Sequence, residues 1–400
     1  MDSIIDCDWR CDRCHRQCIC ESDHVGNGLS YGAYVDGISA AFCRSHDCFS
    51  LSCYGAREEC RNRYGAYGST VRSEYDAGKS GTIDFDCDSF DAFGSAGREG
   101  AALQFGASLG NWLGRKIHLN ESDKRIMTLA GMSAAFAALF GTPMAAAVFP
   151  MEVISVGIMY YAALVPCVFS AFIGERISIF MGVRTLTAPY PVEEVPNFYG
   201  IAWGKAILLA ICFAFAGALF CVMLHIFEKQ LKKWFQNPYL RVFVGGVTVV
   251  LLWKITGTDT YLGLGGGTIA QSFAESQKLW VFLLKMLFTC ITLCAGFKGG
   301  EIVPSLFIGA TFGSALAPIF GLPVDICAAC GMVGVFCAVT NSPISSLLIA
   351  FELFGFAGMP YFCTVIAVSY LLSGYQSLYK AQKIVYSKTE NKYIDRNTTS

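Results

Sequence analysis

From Phe93 onward, apolar segments follow one another with only Gly, Pro and short polar links between them, and this spacing constrains the fold more than any other feature. Candidate spans fall at about 101–114, 126–149, 153–181, 199–228, 240–256, 279–297, 303–320, 326–340, 342–356 and 360–374. Several are shorter than the roughly 20 residues that a straight helical crossing needs. Irregular backbone at membrane depth survives only where protein or a water-filled cavity satisfies its polar groups. The short, Gly/Pro-interrupted segments therefore read as half-helices that meet inside an all-α, polytopic membrane protein. Composition agrees, with 54% hydrophobic and 15% charged residues against about 25% charged in soluble domains. A net charge of −1 excludes a broadly basic nucleic-acid binder.

The segments repeat. Gly131-Met132-x3-Phe136-x-Ala138-x4-Pro143-x8-Glu152 recurs as Gly331-Met332-x3-Phe336-x-Ala338-x4-Pro343-x8-Glu352, six identities at a constant offset of 200. Upstream, Gly97-Arg98-Glu99 leads to Gly106-Ala107-Ser108-Leu109-Gly110, as Gly300-Glu301 leads to Gly309-Ala310-Thr311-Phe312-Gly313, with one residue of gap between the matches. The repeat halves run about 93–235 and 238–384 and are read as inverted in topology. Broken helices in corresponding halves are the sequence pointer to a transporter's binding site. In this reading both halves place a Gly-flanked glutamate there.

Glu99 stands out because an ionisable residue inside a membrane segment costs roughly 2.5–3.5 kcal/mol and marks function by default. Flanking glycines allow close backbone approach, and a helix starting there aims free N–H groups at an anion. Glu152 and Glu352 end corresponding segments and are expected to cap or orient neighbouring helices. His118 and His225 flank apolar segments and are expected at interfaces. The membrane part carries no HExxH, no nucleotide loop and no His/Asp cluster, so neither metal nor cofactor is expected.

Residues 1–92 differ in kind. Ten of the nineteen cysteines lie there, between Cys7 and Cys87, and no apolar run is long enough to span a bilayer. The segment Cys7-x3-Cys11-x2-Cys14-x3-Cys18-x-Cys20 lacks the paired knuckles of a structural zinc site. No cleavable signal peptide is visible. The segment is expected to be disordered or a translation out of frame, rejoining the frame near residues 90–94. The other nine cysteines, Cys167 to Cys363, read as small buried hydrophobes. Lys380, Lys383, Lys388, Lys392 and Arg396 follow the last span, so residues 385–400 are expected to form a basic cytoplasmic tail.

These residues resemble the CLC family of chloride channels and anion/proton exchangers over roughly 93–384. Gly97-Arg98-Glu99-Gly100-Ala101 is similar to its GREGP motif, with Ala101 in the proline place, and Gly300-Glu301-Ile302-Val303-Pro304 to its GxFxP motif, with Ile302 in the phenylalanine place. Gly296-Phe297-Lys298-Gly299-Gly300-Glu301, Phe307-Ile308-Gly309-Ala310-Thr311 and the ending Ser373-Gly374-Tyr375-x3-Tyr379-Lys380 resemble the bacterial fluoride/proton antiporter branch. The resemblance implies a transporter rather than an enzyme. It implies a homodimer in the plasma membrane that exchanges fluoride or chloride for protons. Glu99 then takes the role of the gating and proton-coupling glutamate, and Gly97, Arg98, Gly100, Gly300, Glu301, Ile302, Val303 and Tyr379 take anion-binding roles. That branch usually carries Thr where this chain has Val303, and its first selectivity loop has no match in residues 1–92. Rival readings are a chloride channel or chloride/proton exchanger of the same fold, an inactive product lacking the first membrane spans, and an intramembrane hydrolase using Glu99 and Glu301.

Overall fold

A computed structural model describes residues 94–183, 190, 192, 195–379, 382–390 and 392–398, all within the unit Leu51–Ser400. The expectations for residues 1–92 lie outside the described residues.

Helix α1 (Glu99–Lys116) leads to α2 (Glu121–Phe140), which the Asn120 side chain caps through Asp123 N–H at 2.8 Å. The α1–α2 hairpin closes at glycine. A Cβ on Gly106 or Gly131 would overlap the other's carbonyl oxygen, so the two backbones touch. In lipid, where apolar burial drives little association, such small-residue contacts hold helices together. The second repeat builds the same hairpin from α9 (Ile302–Phe320) and α10 (Val324–Thr340), with Gly309 and Gly331 in the same mutual contact.

Both hairpins continue through matching breaks. Helix α2 ends at Gly141 in the left-handed region (φ 66, ψ 28), and α10 ends at Asn341 (φ 57, ψ 35). Proline at the first helical position, Pro143 or Pro343, then opens α3 (Pro143–Val153) and α11 (Pro343–Phe354), where its missing N–H has no helical partner to lose. The single apolar segment expected at 126–149 is thus two helices. Helix α3 has 11 residues, about 16 Å of rise and too short to cross a bilayer alone.

Glu152 near the end of α3 accepts hydrogen bonds from Ile344 N (2.9 Å), Ser345 N (2.8 Å) and Ser345 Oγ (2.6 Å) at the start of α11. Glu352 near the end of α11 accepts from Met144 N (2.7 Å) and Ala145 N (3.0 Å) at the start of α3. Each repeat therefore supplies the anionic cap for the other's half-helix, where the free N–H groups and the positive dipole end favour a carboxylate.

The remaining helices are α4 (Leu164–Phe180), α5 (Ile201–Trp234), α6 (Pro238–Thr256), α7 (Gly266–Ala274), α8 (Trp280–Ala295) and α12 (Met359–Leu372). Among the described residues, four helical stretches are long and apolar enough to cross a membrane, Tyr161–Phe180, Ile201–Trp234, Pro238–Thr256 and Ile302–Phe320. Helix α7 has no counterpart among the expected spans, because the run Gly263 to Gly267 reads as a breaker rather than a helix start. Of the nine described cysteines, seven are buried and two are half-buried, all as free thiols.

A small sheet departs from the purely helical expectation. Strand β1 (Ser155–Val156) pairs in parallel with β2 (Lys383–Tyr386), and β2 pairs antiparallel with β3 (Tyr393–Asn397). Most of the stretch expected as a basic tail, 385–400, thus folds back. Lys388 in its turn reaches Asn341 Oδ1, Tyr370 O (2.9 Å) and Ser373 Oγ (3.0 Å), satisfying carbonyl and amide groups at helix ends.

Removing either reciprocal carboxylate leaves two peptide N–H groups without an acceptor. Glu152→Ala, at a buried position with three bonds, should cost about 1–3 kcal/mol. Glu352→Ala, with two bonds and more exposure, should cost less. Thermal unfolding in detergent checks the order of the two.

Candidate functional site

The two repeats meet at Gly97 and Gly300. Gly97 N donates to Gly300 O (2.9 Å) and Gly300 N donates to Gly97 O (2.6 Å), an isolated antiparallel bridge. A reciprocal pair of this kind is what a pseudo-two-fold relation between the halves requires. The residues that follow are superimposable in conformation: Arg98 has φ −95 and ψ −11, and Glu301 has φ −96 and ψ −11. Each is the N-cap of its helix, and neither helix start is closed by its own cap side chain.

This register corrects the pairing read from sequence. Gly97 matches Gly300, so Arg98 matches Glu301 and Glu99 matches Ile302. The glutamates are not equivalent. Glu301 is a half-buried N-cap residue, whereas Glu99 is the first residue of α1 and fully buried.

The Glu99 side chain turns back over the bridge. Its Oε1 accepts from Val303 N at 2.8 Å in the first turn of α9. A Cβ on Gly97 or Gly300 would overlap the Glu99 carboxyl, so both glycines are required for that carboxyl to sit where it does. Gly100 also lies against Gly300. The carboxyl thus rests between the N-terminal ends of α1 and α9, where the positive dipole ends of two helices favour an anion.

Behind the bridge, the 94–97 segment is pinned to α8. Ser95 N donates to Thr292 Oγ1 (3.3 Å), and Ser95 Oγ shares a hydrogen bond with Thr289 Oγ1 (3.0 Å). Gly94 O accepts from Gly263 N (2.6 Å), and Gly263 O accepts from Lys285 Nζ (2.8 Å). Lys285, Thr289 and Thr292 lie at i, i+4 and i+7 on one buried face of an otherwise apolar helix. Sequence reading passed over this stripe. Its signal was present, because Lys285 is the one charged residue in α8 and the rule that singled out Glu99 applies equally to it.

Of the expected site residues, the structure brings Gly97, Glu99, Gly100, Gly300 and Val303 into mutual contact, with Arg98, Glu301 and Ile302 beside them in the two helix starts. Tyr379 sits on the C-terminal segment, where its carbonyl accepts from Gln382 N (3.0 Å) and Thr398 Oγ1 (2.8 Å). It is half-buried against the core. Among the described residues no cluster of His, Cys, Asp or Glu is arranged to hold a metal ion.

Two helix starts meeting at a glycine bridge, with a buried glutamate between them, coincide with a family-wide match: residues 92–374 fit the model described as voltage gated chloride channel. The chain belongs to the CLC family. A chloride/fluoride channel protein from Pseudomonas syringae pv. tomato is 38% identical over 300 residues, covering 74% of this chain and 66% of its own length. This chain therefore spans just under two thirds of that relative. An H(+)/Cl(-) exchange transporter ClcA from Cronobacter sakazakii is 26% identical, covering 64% of this chain and 58% of its own length. Among solved structures, a CLC-type fluoride/proton antiporter matches with TM-score 0.70 at 34% identity over 73% of each chain. A slow cyanobacterial Cl−/H+ antiporter shares the fold, with TM-score 0.59 at 23% identity over 71% of this chain and 69% of its own. The expected CLC fold and membrane character thus hold for this chain.

The glycine contacts carry a direct test. Gly97→Ala and Gly300→Ala must displace the Glu99 carboxyl or shift the bridge, at about 1–3 kcal/mol. Gly267→Ala, whose Cβ would meet nothing within 4 Å, should leave the unfolding midpoint in detergent unchanged or slightly raised.

Proposed function

We propose that this CLC-family chain is a fluoride/proton antiporter that exports fluoride from the cytoplasm, with Glu99 as its gate. The observation that carries the reading is the seat of the Glu99 carboxyl between two helix starts, bonded to Val303 N–H. A carboxylate and a small anion compete for the same donors. Ionised Glu99 holds the position, and protonated Glu99, having lost its charge, yields it. Alternation between the two occupants makes anion passage depend on proton uptake, which is the coupling an exchanger needs.

Fluoride is small and strongly hydrated, so a site that strips its water must return well-aimed donors. In this proposal peptide N–H groups in the first turns of α1 and α9, Val303 N–H among them once Glu99 has left it, take on that task, with Tyr379 as one hydroxyl donor from the C-terminal segment. The 38% identical chloride/fluoride channel protein and the 34% identical fluoride/proton antiporter support fluoride as the cargo. Chloride is the second reading, favoured by Val303, which contributes a backbone N–H but no side-chain hydroxyl. The working unit in this proposal is a homodimer in the plasma membrane, with its C-terminus on the cytoplasmic side, where Lys383, Lys392 and Arg396 agree with the inside-positive bias.

The test is reconstitution of the full chain in liposomes, with fluoride and pH followed together. The unmodified chain should move protons against fluoride. Glu99→Gln and Glu99→Ala should each pass anion with proton coupling lost, and unchanged coupling in either variant overturns the gate. Chloride flux equal to fluoride flux in the same vesicles replaces the fluoride reading with the chloride one.

A further inference from the structure

Lys285 is a fully buried lysine in the middle of α8, a helix with no other charged residue. It does not reach toward solvent, as a lysine near a membrane helix end would. Its Nζ donates to Tyr261 O (3.2 Å) and Gly263 O (2.8 Å) and stands over the Phe307 ring at 4.9 Å from the centroid. An ammonium has three donors and no acceptor. Two carbonyl oxygens and the negative face of an aromatic ring satisfy that inventory. These partners offset part of the cost of burying an ammonium.

Two independent connections place this charge beside the site. Phe307 follows Val303 by four residues and lies on the same face of α9. The ring under the ammonium is therefore one helical turn, about 6 Å of rise, from the residue whose N–H holds Glu99. On the other side, Gly263 bonds both Lys285 and Gly94, three residues before the Gly97 bridge.

We propose that Lys285 is a fixed internal cation that draws the transported anion to the meeting point of α1 and α9 and so sets the affinity for it. The inference rests on the transport reading above and adds a residue to it. A helix N-terminus carries only a partial charge, roughly half an elementary unit. A whole positive charge near that meeting point, in a region of low dielectric, offsets the cost of desolvating an anion there. A merely structural lysine would instead serve the carbonyls of the irregular 261–263 segment, which any double N–H donor can do.

Substitutions separate charge from hydrogen bonding. Lys285→Gln keeps two N–H donors and removes the charge, whereas Lys285→Arg keeps the charge. Fluoride flux in liposomes is measured as a function of fluoride concentration for the full chain and each variant, using protein that is monodisperse in detergent. Lys285→Gln should raise the half-maximal concentration by about tenfold or more, with the maximal rate largely retained, and Lys285→Arg should stay within about threefold of the unmodified chain. Unchanged affinity in Lys285→Gln, or equal loss in both variants, overturns the proposal. If Lys285→Gln does not yield monodisperse protein, Lys285→Arg decides, with retained affinity supporting the cation and tenfold loss overturning it. An unmodified chain that carries no flux defeats the transport reading separately. Fluoride titration of the detergent-solubilised chain by calorimetry then tests the cation on its own: weaker binding by Lys285→Gln supports it, and equal or absent binding in the unmodified chain overturns it.

Discussion

Peptide N–H groups at the starts of α1 and α9 have no carbonyl partner within their own helices, and the architecture is arranged around that deficit. The reciprocal Gly97–Gly300 bridge consumes one pair of backbone groups and holds the two starts face to face. Absence of side chains at both glycines leaves room for one carboxyl, which Glu99 supplies. The same deficit that a soluble helix would settle with an N-cap side chain is here met at Val303 by the Glu99 carboxyl.

A second pair of half-helix starts shows the alternative solution. At α3 and α11 the free N–H groups are closed by Glu352 and Glu152, each from the opposite repeat. These carboxylates bond two or three donors at once and tie the halves together. Glu99 bonds Val303 N–H from the first turn of its own helix, across a space that glycine keeps open. The two settings differ in what surrounds the carboxylate, since the residue type is the same: helix starts of the opposite repeat at Glu152 and Glu352, a glycine bridge at Glu99.

Helix α8 explains why the segment before Glu99 stays in register. Thr289 and Thr292 hold Ser95, and Lys285 holds Gly263, which in turn holds Gly94. The irregular stretch 94–97 is therefore anchored on one side by a polar stripe and on the other by Gly300. Irregular backbone at membrane depth is tolerated where protein supplies such partners.

The fold class, the repeat and the position of Glu99 were legible in the amino-acid order, because apolar spacing, an offset of 200 and a charge among glycines each reflect a local constraint that lipid makes strict. Glu152 and Glu352 were likewise read as caps, although which helices they cap was not. The sequence match paired Glu99 with Glu301, and only the backbone register showed Arg98 to be the true counterpart of Glu301. The split of 126–149 into α2 and α3, helix α7, and the return of the C-terminal stretch as β2 and β3 also came from tertiary structure. Chain order alone determined that a carboxylate must lie where half-helices meet. Tertiary structure decided what surrounds it, because Val303, Gly300 and Lys285 reach Glu99's neighbourhood through contacts nearly two hundred residues apart or more, and no local pattern encodes such pairings.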